Sequence, residues 1–186
     1  DLVALLRNRG TMLGGSRAEV SRIADQIELG LLRGQRPAPG IEGLRKALAE
    51  HISAPPKHAL RKLRAQDAPA ILALLDDLAL ALEPLTKLMT APLIRGADLA
   101  RAVAAAVEAV ADGAPLRGHD ELRRWASEMA DLGGEGHAFA PVGLDSVMAA
   151  LMNGFLVRNR LDRRGDIAIW GQIEARLMSP DVMILG

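Results

Sequence analysis

Apolar residues recur at helical spacing through most of this chain, and that periodicity limits the fold more than any other feature. The strongest case follows Asp67: Ile71, Leu74, Leu75, Leu78 and Leu82 share one face, Asp67 stands where an N-cap would, and Pro69 sits in the first turn. Pro84 is expected to kink or end that helix. Upstream, Ser16 with Glu19 three residues later makes a capping box ahead of Val20, Ile23, Ile27 and Leu31, closing at Gly34. The Pro-rich turn 36–40 then leads into Ile41, Leu44, Leu48 and Ile52, with Pro55 and Pro56 as the stop. Lys57 to Arg64 reads as a short basic helix. Residues 98–111 are rich in Ala and Val, with Leu99, Val103, Val107 and Val110 as the buried face and small side chains that allow close helix approach. Two more helices are predicted, over 119–132 around Leu122, Trp125 and Met129, and over roughly 142–157 with Leu144, Val147, Met148, Leu151 and Phe155 inward. Gly133-Gly-Glu-Gly136 between them follows a helix, where a phosphate loop must follow a strand, and reads as a linker.

Aliphatic composition supports helices over a β-sandwich. Hydrophobic residues make up 49% of the 186 but aromatics only 2%, so the core must be built from Ala, Leu, Ile, Val and Met.

The last twenty residues break the pattern. Ile167–Trp170 and Val182–Leu185 are short apolar runs bounded by Gly, Asp or Pro, as in buried parallel strands, and no sheet is expected ahead of them. Two lone strands do not make a stable sheet, so the chain is expected to be an internal piece of a larger α/β protein. Its start at Asp1, directly in a helical pattern, agrees. The expected organisation is mainly α: a helical domain over 1–157, a hinge over 158–165 and a strand-bearing segment over 166–186. Exposed strand edges recruit partners, so the two strands are expected to pair with each other or with a neighbouring molecule, the latter giving a strand-mediated dimer.

Charge and cysteine usage narrow the chemistry. The 23 basic and 23 acidic residues cancel, so wholesale nucleic-acid or membrane binding has no electrostatic basis, and any such surface must be local. The absence of Cys excludes disulfides, thiolate catalysis and Cys-bound zinc or iron–sulfur centres within the segment. The longest apolar run, Ile71 to Leu82, is interrupted by Asp76 and Asp77, so no membrane span is predicted, and a cytoplasmic location is the default expectation. Adjacent Asp76 and Asp77 point to different sides of a helix, which suits a solvated face better than a metal site. His51, His58, His119 and His137 lack a zinc-binding spacing, and no Ser sits in a nucleophile elbow. No catalytic residue, metal site or cofactor is predicted.

Two basic clusters remain. Lys57, Arg61 and Arg64 would share one face of their predicted helix and could meet phosphates, although the lack of an accompanying aromatic favours a solvated face. Arg158, Arg160, Arg163 and Arg164 crowd the hinge, and guanidinium groups suit phosphate contacts. In the turn after Trp170, Gly171, Glu174 and Arg176 suit either a ligand or a salt bridge that fixes the turn.

The stretch Ile169-Trp-Gly-Gln-Ile-Glu-Ala-Arg-Leu177, followed by Asp181-Val-Met-Ile-Leu-Gly186, resembles AddB, the second subunit of bacterial AddAB helicase–nucleases, in its alphaproteobacterial form. Leu2-Val-Ala-Leu-Leu-Arg7, Arg17-Ala-Glu-Val20, Leu31-Leu-Arg-Gly-Gln-Arg-Pro-Ala-Pro-Gly40 and Gly43-Leu-Arg-Lys-Ala-Leu48 are similar to that family in order and spacing. The resemblance implies a UvrD-like superfamily 1 fold with a decayed motor, in which a helical accessory domain is inserted in the second RecA-like lobe. Residues to about 157 would be the insertion and 166–186 the return to the lobe. Active relatives carry a Ser- and Lys-containing turn ending Gly-Leu-Glu-Phe, whereas this chain has Gly171-Gln-Ile-Glu-Ala-Arg176, which implies a scaffolding lobe. The family's nuclease carboxylates, metal site and cluster cysteines lie outside the segment. The implied role is processing of double-strand DNA ends, with an AddA-like subunit and DNA as partners and the hinge arginines on the DNA path. A free-standing helical adaptor is the alternative.

Overall fold

The computed structural model describes residues 2–54, 63–131, 138–153 and 182. The chain divides into two units, residues 1–156 and 157–186. All elements below belong to the first, and of the second only the exposed Val182 is described. The predicted strands apart from Val182, the hinge, the Gly133–Gly136 linker and Phe155 therefore lie outside the described residues.

Seven α-helices and one two-residue strand pair make up the described body: α1 (Leu2–Arg7), α2 (Arg17–Ile27), α3 (Gly40–Ser53), α4 (Ala68–Met89), β1 (Ile94–Arg95), α5 (Gly96–Ala111), α6 (His119–Asp131), β2 (Ala138–Phe139) and α7 (Leu144–Met152). β1 and β2 run antiparallel, with Ile94 opposite Phe139 and Arg95 opposite Ala138. This small pairing corrects the expectation that nothing before residue 166 forms a sheet. It is only two residues long, below what a periodicity argument can register.

α2 starts as its sequence dictates. Ser16 is extended and its hydroxyl accepts the Glu19 N–H at 3.2 Å, satisfying one of the free donors of the first turn. Val20, Ile23 and Ile27 are fully buried on the predicted face. The helix then widens into a π-helical turn over Glu28–Leu32, closed by the Arg33 N–H donating to the Glu28 carbonyl at 3.0 Å. This turn buries Leu31 together with Gly30.

α3 follows the Pro-rich turn, and its first turn depends on Gly43. A Cβ there would lie 1.8 Å from the Ala38 carbonyl oxygen, so only glycine lets the preceding backbone cross so closely. Arg45 on α3 holds Glu42 on its own helix and Asp76 on α4, joining the two elements.

One expectation for α4 fails, and another keeps only one of its two alternatives. Asp67 does not cap it, because its backbone is helical, at φ −86° and ψ −17°, and a 3₁₀ turn over Ala65–Asp67 leads into the helix instead. Pro84 does not end it, since the helix runs to Met89. The carbonyl that loses its donor belongs to Leu80, a residue 71% exposed on the solvent side, where water can satisfy it. Past the proline, the Thr86 hydroxyl donates to the Leu82 carbonyl at 3.0 Å, and Lys87 pairs with Glu83 at 2.8 Å.

Ile71, Leu74, Leu75 and Leu78 of α4 complete a core with Leu6, Leu13, Val20, Ile23, Ile27, Leu44 and Leu48. Each such side chain contributes about 1.5–3 kcal/mol by leaving water. Leu13 reaches this core from a left-handed backbone, φ 45°, and its N–H and that of Met12 both donate to the Val110 carbonyl at the end of α5. The α1–α2 loop is thus tied to α5.

α5 packs between α4 and α6. Its fully buried residues are Ala97, Leu99, Ala100, Ala102, Ala106, Val110 and Ala111, while Val103 and Val107 are only half-buried. The predicted valine face is thus displaced onto the alanines: with neighbours on two sides, the smallest side chains take the closest approach. α6 buries Trp125, whose indole N–H donates to the Leu151 carbonyl of α7 at 3.1 Å. α7 is shorter than predicted, spanning Leu144–Met152 after a 3₁₀ turn over Pro141–Gly143. None of its residues is fully buried, and Val142 is 96% exposed.

Candidate functional site

Among the candidate site residues only Arg64 is described. Lys57, Arg61, Arg158, Arg160, Arg163, Arg164, Gly171, Glu174 and Arg176 lie outside the described residues. Arg64 corrects the reading of its cluster, because it is extended, at φ −81° and ψ 141°, where a shared helical face required it to be helical. The reason is local: the Leu63 N–H donates to His51 Nε2 at 3.1 Å, and the Asp67 N–H donates to the Arg64 carbonyl at 2.9 Å. The chain at Arg64 is committed to opening the 3₁₀ turn.

Arg64 lines an open groove of about 370 Å³ with Arg22, Asp25, Gln26, Leu29, Gly30, Leu63 and Asp67. One wall is α2 and the π-helical turn, and the other is the segment leading into α4. The floor is shaped by Leu63, whose side chain lies over Gly30 so closely that a Cβ there would fall 2.6 Å from Leu63 Cγ. Arg22, Asp25 and Asp67 are each engaged by a partner, Asp25 by one that does not line the groove. Arg22 donates to Gln26 Oε1 at 3.0 Å and stands 3.9 Å from Asp67, while Asp25 receives Arg7 at 2.8 Å. Arg7 also reaches Glu28 at 2.6 Å, and these partners raise its guanidinium pKa, the Asp25 hydrogen bond most of all. Two arginines and two aspartates leave the groove near electrical neutrality, an arrangement that holds α2 to the start of α4. Arg22 was not singled out from sequence, since its partner Asp67 is remote along the chain.

A second polar cluster joins α5 to α6. Glu108 Oε1 lies 3.0 Å from His119 Nε2 and receives Arg123 Nε at 3.1 Å. These two hydrogen bonds, His119 first, hold the Glu108 carboxyl below its ordinary pKa, against a small desolvation effect. Asp76 is taken up by Arg45, and no group of three or more His, Asp or Glu suited to a metal ion occurs among the described residues. Among the described residues no helix is long and apolar enough to cross a membrane.

The fold and its polar clusters thus define a mainly α-helical body. No protein-family model, no curated protein and no solved structure matches the chain.

Proposed function

We propose that this chain is a non-catalytic, scaffolding segment of an AddB-like subunit of a cytoplasmic helicase–nuclease that processes double-strand DNA ends. In this reading the helices to about residue 157 are the accessory insertion of a UvrD-like fold, and 166–186 return to a RecA-like lobe. The segment walls the DNA path and contacts an AddA-like subunit, with no cofactor of its own. The supporting observation is the order of the chain: a helical body precedes the Trp170-Gly-Gln-Ile-Glu174 and Asp181-Val-Met-Ile-Leu-Gly186 stretches that resemble the family. With Arg22, Asp25 and Asp67 of the groove already held in ion pairs, the DNA contact proposed here is assigned to Arg158, Arg160, Arg163 and Arg164.

Fluorescence anisotropy with a labelled forked duplex, at low and physiological salt, tests the DNA contact. Binding that weakens with salt and is lost when those four arginines become Ala supports the reading. Absence of binding at low salt removes the DNA contact and leaves subunit packing. The second reading, a free-standing helical adaptor, draws on one feature: the described helices enclose an aliphatic core of their own without a large sheet.

A further inference from the structure

We propose that Asp112 and Gly113, in the turn that closes α5, form a site of spontaneous covalent modification at which Asp112 isomerises to isoaspartate. Asp112 is exposed and left-handed, at φ 45° and ψ 52°, and Gly113 follows at φ 77°. Two consecutive positive φ angles, with the Ala114 N–H donating to the Ala111 carbonyl at 2.9 Å, make a type I′ turn centred on these two residues. A left-handed backbone is disfavoured for a residue with a Cβ, so Asp112 carries strain that Gly113 does not. The side of Gly113 where a Cβ would stand is open, with nothing within 4 Å. Among the described residues no hydrogen bond engages the peptide group that joins the two.

That peptide group is free to rotate by half a turn in place. The rotation changes ψ of Asp112 and φ of Gly113 together, keeps the path of the chain and the Ala114–Ala111 hydrogen bond, and converts type I′ to type II′. It carries ψ of Asp112 from 52° to about −130°, close to the type II′ value, and brings the Gly113 nitrogen round to face the Asp112 carboxyl carbon. Glycine accepts φ of either sign, so Gly113 does not oppose the rotation. The chemistry needs only the chain and water. The nitrogen lone pair of Gly113 forms a bond to Cγ of the protonated carboxyl, the bond from Cγ to its hydroxyl breaks, and the hydroxyl leaves with the amide proton as water. One water then opens the cyclic imide at either carbonyl. Opening at the main-chain carbonyl leaves the chain running through Cγ, with an added methylene in the backbone and a free α-carboxylate. The turn supplies the advantage of any intramolecular reaction, since it holds nucleophile and electrophile together. The added methylene falls between the Asp112 N–H, bonded to the Glu108 carbonyl at 3.0 Å, and Leu116, which lies against Gly10. Modification therefore alters the spacing between the end of α5 and its contact with the α1–α2 loop.

Incubation of the chain in oxygen-18 water at pH 6 and 37 °C tests this, because each opening of the ring places one heavy oxygen on the residue. Trypsin in ordinary water then releases residues 102–117, in which Asp112 is the only Asp and Asn is absent. Electron-transfer fragmentation of that peptide separates isoaspartate from aspartate. The folded chain should label Asp112 as fast as the same chain in urea, or faster, as expected of a turn that presents the nitrogen to the carboxyl. Slower labelling in the folded chain than in urea overturns the site, because the native turn then protects the residue. Gly113→Ala should lose most of the label, since its Cβ crowds the nitrogen and φ 77° disfavours it. Undiminished labelling in that variant overturns the site equally. Should Gly113→Ala fail to fold, the comparison of the unmodified chain with and without urea decides alone.

Discussion

The described body holds two regions that reach burial by different means. Around α1–α4 the core is made of bulky aliphatics, with Leu6, Ile27, Leu48, Ile71, Leu75 and Leu78 all fully buried. Around α5–α7 the buried set is mostly alanine, with Ile94, Leu99 and one aromatic, Trp125, supplying the volume. The first region distributes its stabilisation over many equivalent side chains, whereas the second concentrates it in close helix approach and a single indole. Redundancy therefore belongs to the first, and the second should fail at one point.

Trp125→Ala is the strongest way to break that comparison. It removes the largest buried side chain and the donor to the Leu151 carbonyl, and should cost about 3–5 kcal/mol. Leu75→Ala in the first region should cost about 2–5 kcal/mol. The distinction lies in where the loss appears. Hydrogen exchange in Trp125→Ala should accelerate across α6 and α7 more than across α1–α3, while Leu75→Ala should lower protection throughout. Equal acceleration everywhere in both variants would mean that the regions unfold as one unit and the contrast is only compositional.

A smaller effect sharpens the picture of the first region. Gly43→Ala places a methyl group 1.8 Å from the Ala38 carbonyl oxygen, and this obstacle is backbone that no rotamer change can relieve. Overpacking of this kind costs about 1–3 kcal/mol, more than the gain of roughly 1 kcal/mol from replacing glycine within a helix. Denaturant titration should show net destabilisation. A stabilised variant would mean that the turn 36–40 moves away freely and that the packing of α3 does not rest on it.

Much of this architecture is legible from residue spacing, and the failures share a cause. The Ser16 cap, the aliphatic faces of α2 and α4 and the burial of Trp125 all follow from local rules, because each is decided within two helical turns. What escapes is decided by distant neighbours. The alanine face of α5 is chosen by packing against both α4 and α6, and the β1–β2 pairing joins residues more than forty positions apart. Asp67 abandons its cap position within a 3₁₀ turn beside Arg22, and Arg64 is extended because Leu63 is bonded to His51. Of the candidate site, sequence reasoning reached Arg64 but neither Arg22 nor His51, whose roles depend on side chains or backbone brought from elsewhere in the chain.

The weakest expected effect probes whether the second region has an electrostatic joint besides Trp125. Glu108 is held below the ordinary carboxylate pKa of 4.5 first by the His119 hydrogen bond and then by that of Arg123. A lowered folded-state value means that the unfolded chain binds the proton more readily. The contribution is therefore complete above about pH 4.5 and is lost as pH falls through the lowered value. Solvent screening keeps it small, since Glu108, His119 and Arg123 are all substantially exposed. Thermal unfolding at pH 7 and 3.5 should show the unmodified chain losing slightly more stability on acidification than Glu108→Gln, which has no carboxylate to protonate at that position. Identical losses would leave the α5–α6 contact resting on alanine packing and Trp125 alone, making the second region still more dependent on its one aromatic.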